Sequence, residues 1–254
     1  MDDGLTQDAF LGGRLLLWQP EEGYRAGVDP VLLAAACPAR RGESVLELGC
    51  GVGAASLCLG ARVPGLRLVG VERQPRMAEL ARRNAQETQT EIEFLTADLA
   101  DLPADLRQRS FDHVIANPPY FLRTESLASD HAAREAAMGE DTPLNVWLSV
   151  AARRLVPRGW LTVIHRPDRL GDLLSGLGTL GSIHIQPLVP RAGRDAALIL
   201  VRARKGGRAP LRLHAPVVLH AGPTHLRDGE DYTPEIHAVL RDAAPLPGFG
   251  GAAT

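Results

Sequence analysis

Asn117-Pro118-Pro119-Tyr120 follows directly on the apolar run Phe111-Asp112-His113-Val114-Ile115-Ala116. The Asn117 side-chain oxygen accepts hydrogen bonds. Pro118 and Pro119 have no N–H and fixed backbone angles, so the turn is stiff and its carbonyls point in set directions. Tyr120 adds a flat face on which a planar group can stack. Together the four residues read as a clamp for a planar amide or amine nitrogen. Three other strand ends carry similar chemistry. Glu47-Leu48-Gly49-Cys50-Gly51-Val52-Gly53 closes one, Glu72 another, and Asp98-Leu99 follows a third. Gly49, Gly51 and Gly53 let a backbone turn sharply and approach a ligand ahead of a helix N-terminus. Glu72, 23 residues beyond Gly49, stands where a carboxylate holds both hydroxyls of a ribose. Asp98 could accept from an adenine amine while the flanking backbone reads a ring nitrogen.

Ala54 after the third glycine leaves a nicotinamide dinucleotide compatible with the spacing. Glu47 favours a different cofactor. A carboxylate just ahead of the glycines suits a charged amino group, which S-adenosylmethionine has and the dinucleotide lacks.

These residues need elements to place them. Residues 1–41 read as an extension: a hairpin around Gly12-Gly13, an ordered loop holding Tyr24 and Arg25, then a helix opened by Asp29-Pro30. Strands are expected at 44–48, 66–71, 92–95, 111–116, 159–164, 183–189 and 196–203. Helices fall at 54–63, 75–87, 143–155 and 168–180. The alternation predicts an α/β, doubly wound, mostly parallel seven-stranded sheet covered on both faces, with one antiparallel strand. In such a sheet ligands bind beyond the carboxyl ends of the strands, the edge to which all four chemical segments fall. The Rossmann-like domain is expected over 42–245, including a basic connector at 206–216, and a disordered tail over 246–254.

A chain of 254 residues accommodates one buried α/β domain with an appendage. No run reaches the ~20 apolar residues of a membrane span, and Met1-Asp2-Asp3-Gly4 has no signal-peptide pattern. Cys37, Cys50 and Cys58 form no Cys-x-x-Cys pair, and the histidines show no ligand spacing. Neither disulfides nor a metal site are expected, which fits the cytoplasm. The net charge of −2 gives no overall pull toward nucleic acid, so RNA binding would need a local basic face. Arg123, Arg134, Arg166, Arg191 and Arg194 could face the site edge; Arg202, Arg204, Lys205, Arg208 and Arg212 form a second stretch.

With these motifs the chain resembles the class I S-adenosylmethionine-dependent methyltransferases, in the group whose Asn-Pro-Pro-Tyr motif serves planar nitrogens. Several segments resemble the bacterial tRNA1(Val) adenine-37 N6-methyltransferase family. They are Gln19-Pro20, Gly23-Tyr24-Arg25, Asp29, Leu32-Leu33-Ala34, and 161–167 through His165-Arg166-Pro167. Pro190-Arg191-Ala192-Gly193, 198–201, Leu226 and Tyr232-Thr233-Pro234-Glu235-Ile236 complete the set. The resemblance implies that Gly49, Gly51 and Gly53 border the methionine moiety with Glu47 near its amino group. Glu72 would bind the ribose, and Asp98 with Leu99 the cofactor adenine. Asn117, which would also border the cofactor, and the Pro118 carbonyl would accept from the target amine, with Pro119 and Tyr120 against the target base. Tyr24, Arg25 and Asp29 would lie in a segment that closes over the site, and Arg191 would contact substrate. The implied partner is RNA, with tRNA leading; the oligomeric state is open. Glutamine methylation on protein and guanine-N2 methylation of ribosomal RNA use the same clamp, and a non-catalytic cofactor-binding module is the alternative of another kind.

Overall fold

The computed structural model describes residues 4–120, 142–222 and 231–249. Arg123, Arg134 and Leu226 lie outside the described residues. β1 (Leu5–Phe10) and β2 (Leu15–Pro20) pair as an antiparallel hairpin through a turn at Leu11–Gly13. α1 (Asp29–Ala36) has Pro30 in its first turn and buries nearly every residue. The main domain then alternates β3 (Ser44–Leu48), α2 (Ala54–Arg62), β4 (Arg67–Glu72), α3 (Pro75–Glu87), β5 (Ile92–Thr96), α4 (Ala104–Gln108) and β6 (Phe111–Ala116). It continues with α5 (Leu144–Arg154), β7 (Leu155–His165), α6 (Leu170–Gly176), β8 (Leu180–Val189), β9 (Leu198–Lys205), β10 (Arg212–Leu213), β11 (Val217–Val218) and α7 (Pro234–Asp242).

Seven long strands run β8-β9-β7-β6-β3-β4-β5 across the sheet, and β9 alone is antiparallel to its neighbours. This is the expected architecture, with one addition. The basic connector supplies β10 and the residues just after it β11, two residues each, which pair parallel to β8 and raise the sheet to nine strands. Pairing a short segment there covers the otherwise open edge of β8. The chain leaves β3 toward β4 and β5 on one side and returns as β6 and β7 on the other. The strand order therefore switches between β3 and β6, where open α/β sheets hold their ligands.

Side chains alternate across the strands. Val45 and Ile115 join the core beneath the hairpin, α1, α2, α3 and α7. Leu46, Leu48, Val114 and Ala116 join the opposite core with α4, α5 and α6. The N-terminal hairpin shares the first of these cores through Leu15 and Leu17, so residues 4–41 pack against the domain as an integral wall.

Two local expectations change. The helix proposed for 168–180 is confined to Leu170–Gly176, because a short 3-10 turn precedes it and Gly178 adopts a left-handed φ of 58° before β8 begins. The tail expected to be disordered is anchored in its first part. Leu246 and Phe249 are buried, the Leu246 N–H donates to the Ala35 carbonyl at 2.9 Å, and Arg202 donates to the Phe249 carbonyl at 2.7 Å. The physical reason is a pocket for an aromatic ring: the Arg202 guanidinium lies 4.6 Å from the Phe249 ring centre, and His214 meets the ring edge-on at 5.4 Å.

Candidate active site

The four chemical segments sit on the neighbouring strands β5, β4, β3 and β6, in register at their carboxyl ends: Thr96 opposite Glu72, Val71 opposite Leu48, and Leu48 opposite Ala116. Three inter-strand spacings of about 4.8 Å put the segments after β5 and β6 roughly 14 Å apart. That span suits an extended nucleoside-sized ligand meeting a second planar group.

Gly49, Gly51 and Gly53 all have left-handed φ, at 65°, 54° and 84°, but for different reasons. A Cβ on Gly49 would lie 2.3 Å from Trp147 Cη2, and one on Gly53 2.7 Å from Phe94 Cζ. Beyond its chain neighbours, Gly51 has no heavy atom of the described residues within 4 Å of that position. Packing thus demands glycine at 49 and 53, whereas Gly51 faces open space. Its N–H donates to Glu72 Oε2 at 2.9 Å, while the Gln74 N–H donates to Oε1 at 2.8 Å. Glu72 therefore clasps the glycine loop to the start of α3. Each carboxylate oxygen has a second lone-pair site to offer a ligand hydroxyl.

Glu47 departs from expectation. It lies on the face toward α2, and its Oε2 accepts from the Ser56 N–H at 2.9 Å and from Ser56 Oγ at 2.5 Å. Burial pushes its pKa up to about 8 against the lowering by the Ser56 bonds, and Glu72 adds repulsion. Tied into the first turn of α2, the carboxyl fastens the glycine loop from behind. Asp98 accepts from the Ala100 N–H at 2.8 Å, capping the turn at Leu99–Asp101, and Leu99 is buried beneath it.

On the acceptor side, Asn117 Nδ2 donates to the Tyr24 hydroxyl at 3.4 Å. Its Oδ1 is buried and has no hydrogen-bond partner among the described residues. Leaving such an oxygen unpaired costs about 1–3 kcal/mol, so this is a site shaped for a donor. The Tyr120 hydroxyl donates to Asp29 Oδ2 at 2.5 Å, and the Tyr120 ring lies 5.3 Å from that of His165, tilted by 60°. Asp29 belongs to the first turn of α1, directly after Val28 at the N-cap, and its side chain meets Tyr120. The extension thus reaches the clamp twice, through Tyr24 and through Asp29.

The two arginines expected to meet substrate are otherwise engaged. Arg25 binds both oxygens of Asp8, at 2.8 and 2.6 Å. Arg191 is buried, donates to the Ala221 and Gly222 carbonyls and pairs with Asp231, which also meets His220. Both serve as braces because each has a carboxylate on a neighbouring segment, a contact that spacing along the chain does not disclose. Three supporting roles also escape sequence reasoning. Gln19 receives the Ala26 N–H at 2.7 Å and donates to Asp8 and the Ala26 carbonyl, folding back the loop that carries Tyr24. Asn84 joins the Trp18 backbone to the Val52 carbonyl, tying hairpin to glycine loop. Trp147 packs on Gly49. Gln19 stands in one of the family-like segments, but no local pattern gives these three residues their bracing roles.

Among the described residues, no group of three or more His, Cys, Asp or Glu could hold a metal ion, and no helix is long and apolar enough to cross a membrane.

Comparison with known proteins agrees with this geometry. Residues 45–137 match the methyltransferase domain family. The chain is 35% identical over 178 residues to a tRNA1(Val) (adenine(37)-N6)-methyltransferase of Porphyromonas gingivalis, covering 66% of this chain and 69% of the relative. It is 26% identical over 229 residues to the protein of the same name from Yersinia enterocolitica, covering 86% and 85%. A solved predicted O-methyltransferase from Agrobacterium tumefaciens superposes with a TM-score of 0.68 at 30% identity, over 85% of this chain and 97% of its own. A T. thermophilus 16S rRNA N2 methyltransferase, solved with AdoMet and guanosine, shares the fold with a TM-score of 0.57 at 21% identity, over 79% of this chain and 50% of its own.

Proposed function

Because the chain belongs to the tRNA1(Val) (adenine(37)-N6)-methyltransferase family, with S-adenosylmethionine as its methyl donor, we propose that it methylates adenine N6 in a tRNA anticodon loop. The buried Oδ1 of Asn117, beside Tyr120 and without a partner among the described residues, carries this proposal. An exocyclic adenine amine is a poor nucleophile because its lone pair is delocalised into the ring. Oδ1 and the Pro118 carbonyl accept its two hydrogens, turn the lone pair out of conjugation and steady the positive charge that develops as the methyl group arrives. The sulfonium carbon is already electrophilic, so the protein's contribution is alignment and electrostatics.

The chain's residues fit the cofactor at three places: open space above Gly51, the remaining acceptor sites of Glu72, and the half-exposed Asp98 over Leu99. Glu47 acts through Ser56 on the loop's position. Tyr120, held by Asp29, supplies the surface on which the target base stacks. A base in a single-stranded loop reaches such a clamp at a lower unstacking cost than one in a duplex. The family relationship favours this acceptor over the guanine-N2 and glutamine alternatives.

The test is to supply methyl-labelled S-adenosylmethionine with fractionated tRNA, rRNA and protein from a strain lacking the enzyme. Label is expected in tRNA; label confined to rRNA or protein contradicts the proposal.

A further inference from the structure

His165 ends β7, and the register pairing Ala116 with Val163 brings the strand's last residues beside the start of the Asn117–Tyr120 turn. The ring is almost wholly buried. Its Nδ1 accepts the Arg166 N–H at 2.8 Å. That bond fixes the tautomer: in the neutral ring the proton sits on Nε2. Nε2 is buried against the Pro119 backbone, yet makes no hydrogen bond of ordinary geometry among the described residues. The ring also packs on Tyr120, 5.3 Å between centres.

The turn has a particular need for such a group. Two consecutive prolines supply no N–H, so the turn has fewer of its own donors with which to fix its carbonyls. A buried N–H from the neighbouring strand can do so. We infer that His165 is a positioning residue for methyl transfer: its Nε2–H closes on the Pro119 carbonyl when the acceptor binds, locking the turn that carries Asn117 Oδ1 and the Tyr120 ring. Hydrogen bonds of this kind are often long in a ligand-free site and tighten in the complex. The electrostatics agree. Burial, with the nearby Arg169 guanidinium outweighing Asp168, pushes the His165 pKa down to about 4, which keeps a cation away from the sulfonium.

This inference rests on the methyl-transfer reading, and its test separates the two. Two variants are compared with the wild-type chain: His165→Phe keeps a ring against Tyr120 without the N–H, and His165→Gln keeps an N–H donor at similar reach. Steady-state methylation of tRNA, cofactor calorimetry and thermal melting are measured for each. His165→Phe is expected to lower kcat about 10- to 100-fold, the scale of a small misplacement of reacting groups, with cofactor affinity within about twofold. His165→Gln is expected to recover most of that loss. A His165→Phe variant with wild-type kcat overturns the inference, as do equal losses in both variants accompanied by weakened cofactor binding, which mark a purely structural role. If wild type labels another acceptor instead of tRNA, the acceptor assignment falls and the same comparison on that acceptor still decides His165. If no acceptor takes label, both fall.

Discussion

Replacing each glycine of the loop by alanine separates packing from ligand approach. Alanine in the left-handed region costs roughly 1–2 kcal/mol wherever it is placed, and the three glycines share that conformation. At Gly51 nothing else is added, because beyond its chain neighbours no heavy atom of the described residues lies within 4 Å of the new methyl. For a domain of this size about 1–2 kcal/mol lowers the melting temperature by roughly 2–8 °C. At Gly49 and Gly53 the methyl meets Trp147 and Phe94 at 2.3 and 2.7 Å, adding an overpacking cost of about 1–3 kcal/mol. The free-protein stabilities should therefore rank Gly51→Ala above Gly49→Ala and Gly53→Ala. Cofactor binding should respond differently. If the ligand fills the space above Gly51, the same overpacking cost appears in the complex, and affinity falls about 5- to 150-fold. Thermal melts and calorimetric titration with S-adenosylmethionine measure the two effects on one sample. A Gly51→Ala protein that binds cofactor like wild type refutes the assignment of that space to the ligand. A Gly49→Ala protein as stable as Gly51→Ala refutes the packing argument.

Asn117→Ala is expected to reduce kcat about 10²- to 10³-fold with little change in cofactor affinity, the scale for losing one preorganised polar group; single-turnover rates check this. Glu47→Gln should gain stability over wild type as pH rises from 4.5 to about 8. The folded carboxyl holds its proton through that window whereas the unfolded one loses it, so wild type alone is penalised, by on the order of a few kcal/mol. Urea titrations at pH 5 and 8 test the sign. Phe249→Ala removes a buried ring from beside Arg202 and His214 and should cost about 3–5 kcal/mol, seen as a lowered urea midpoint; an unchanged midpoint would mean the tail does not anchor in solution.

Much of the arrangement is legible along the chain because it is local. The glycine loop, Glu72, Asp98 and Asn117–Tyr120 all sit at strand ends, and alternating apolar patterns give those ends within a residue or so; α3 falls at its expected bounds, Pro75–Glu87. What the sequence does not disclose lies in contacts between distant segments. Arg25 and Arg191 look available until Asp8 and Asp231 are placed beside them, and Phe249 looks like loose tail until Arg202 is brought underneath. Glu47 gains a partner of the same kind: alternation along β3 turns it toward α2, where Ser56 donates to it. One omission had a local signal. Thr233-Pro234 opens α7, Thr233 Oγ accepting the Ile236 N–H at 3.4 Å, a cap and first-turn proline of the kind that marks a helix start.

The central claim is most directly tested by incubating the chain and S-adenosylmethionine with an unmodified tRNA1(Val) transcript and identifying the product by nucleoside mass spectrometry, beside a transcript carrying guanine at position 37. N6-methyladenosine in the first transcript and none in the second is the predicted result. Methyl groups on guanine N2, or equal incorporation into both transcripts, would contradict the account.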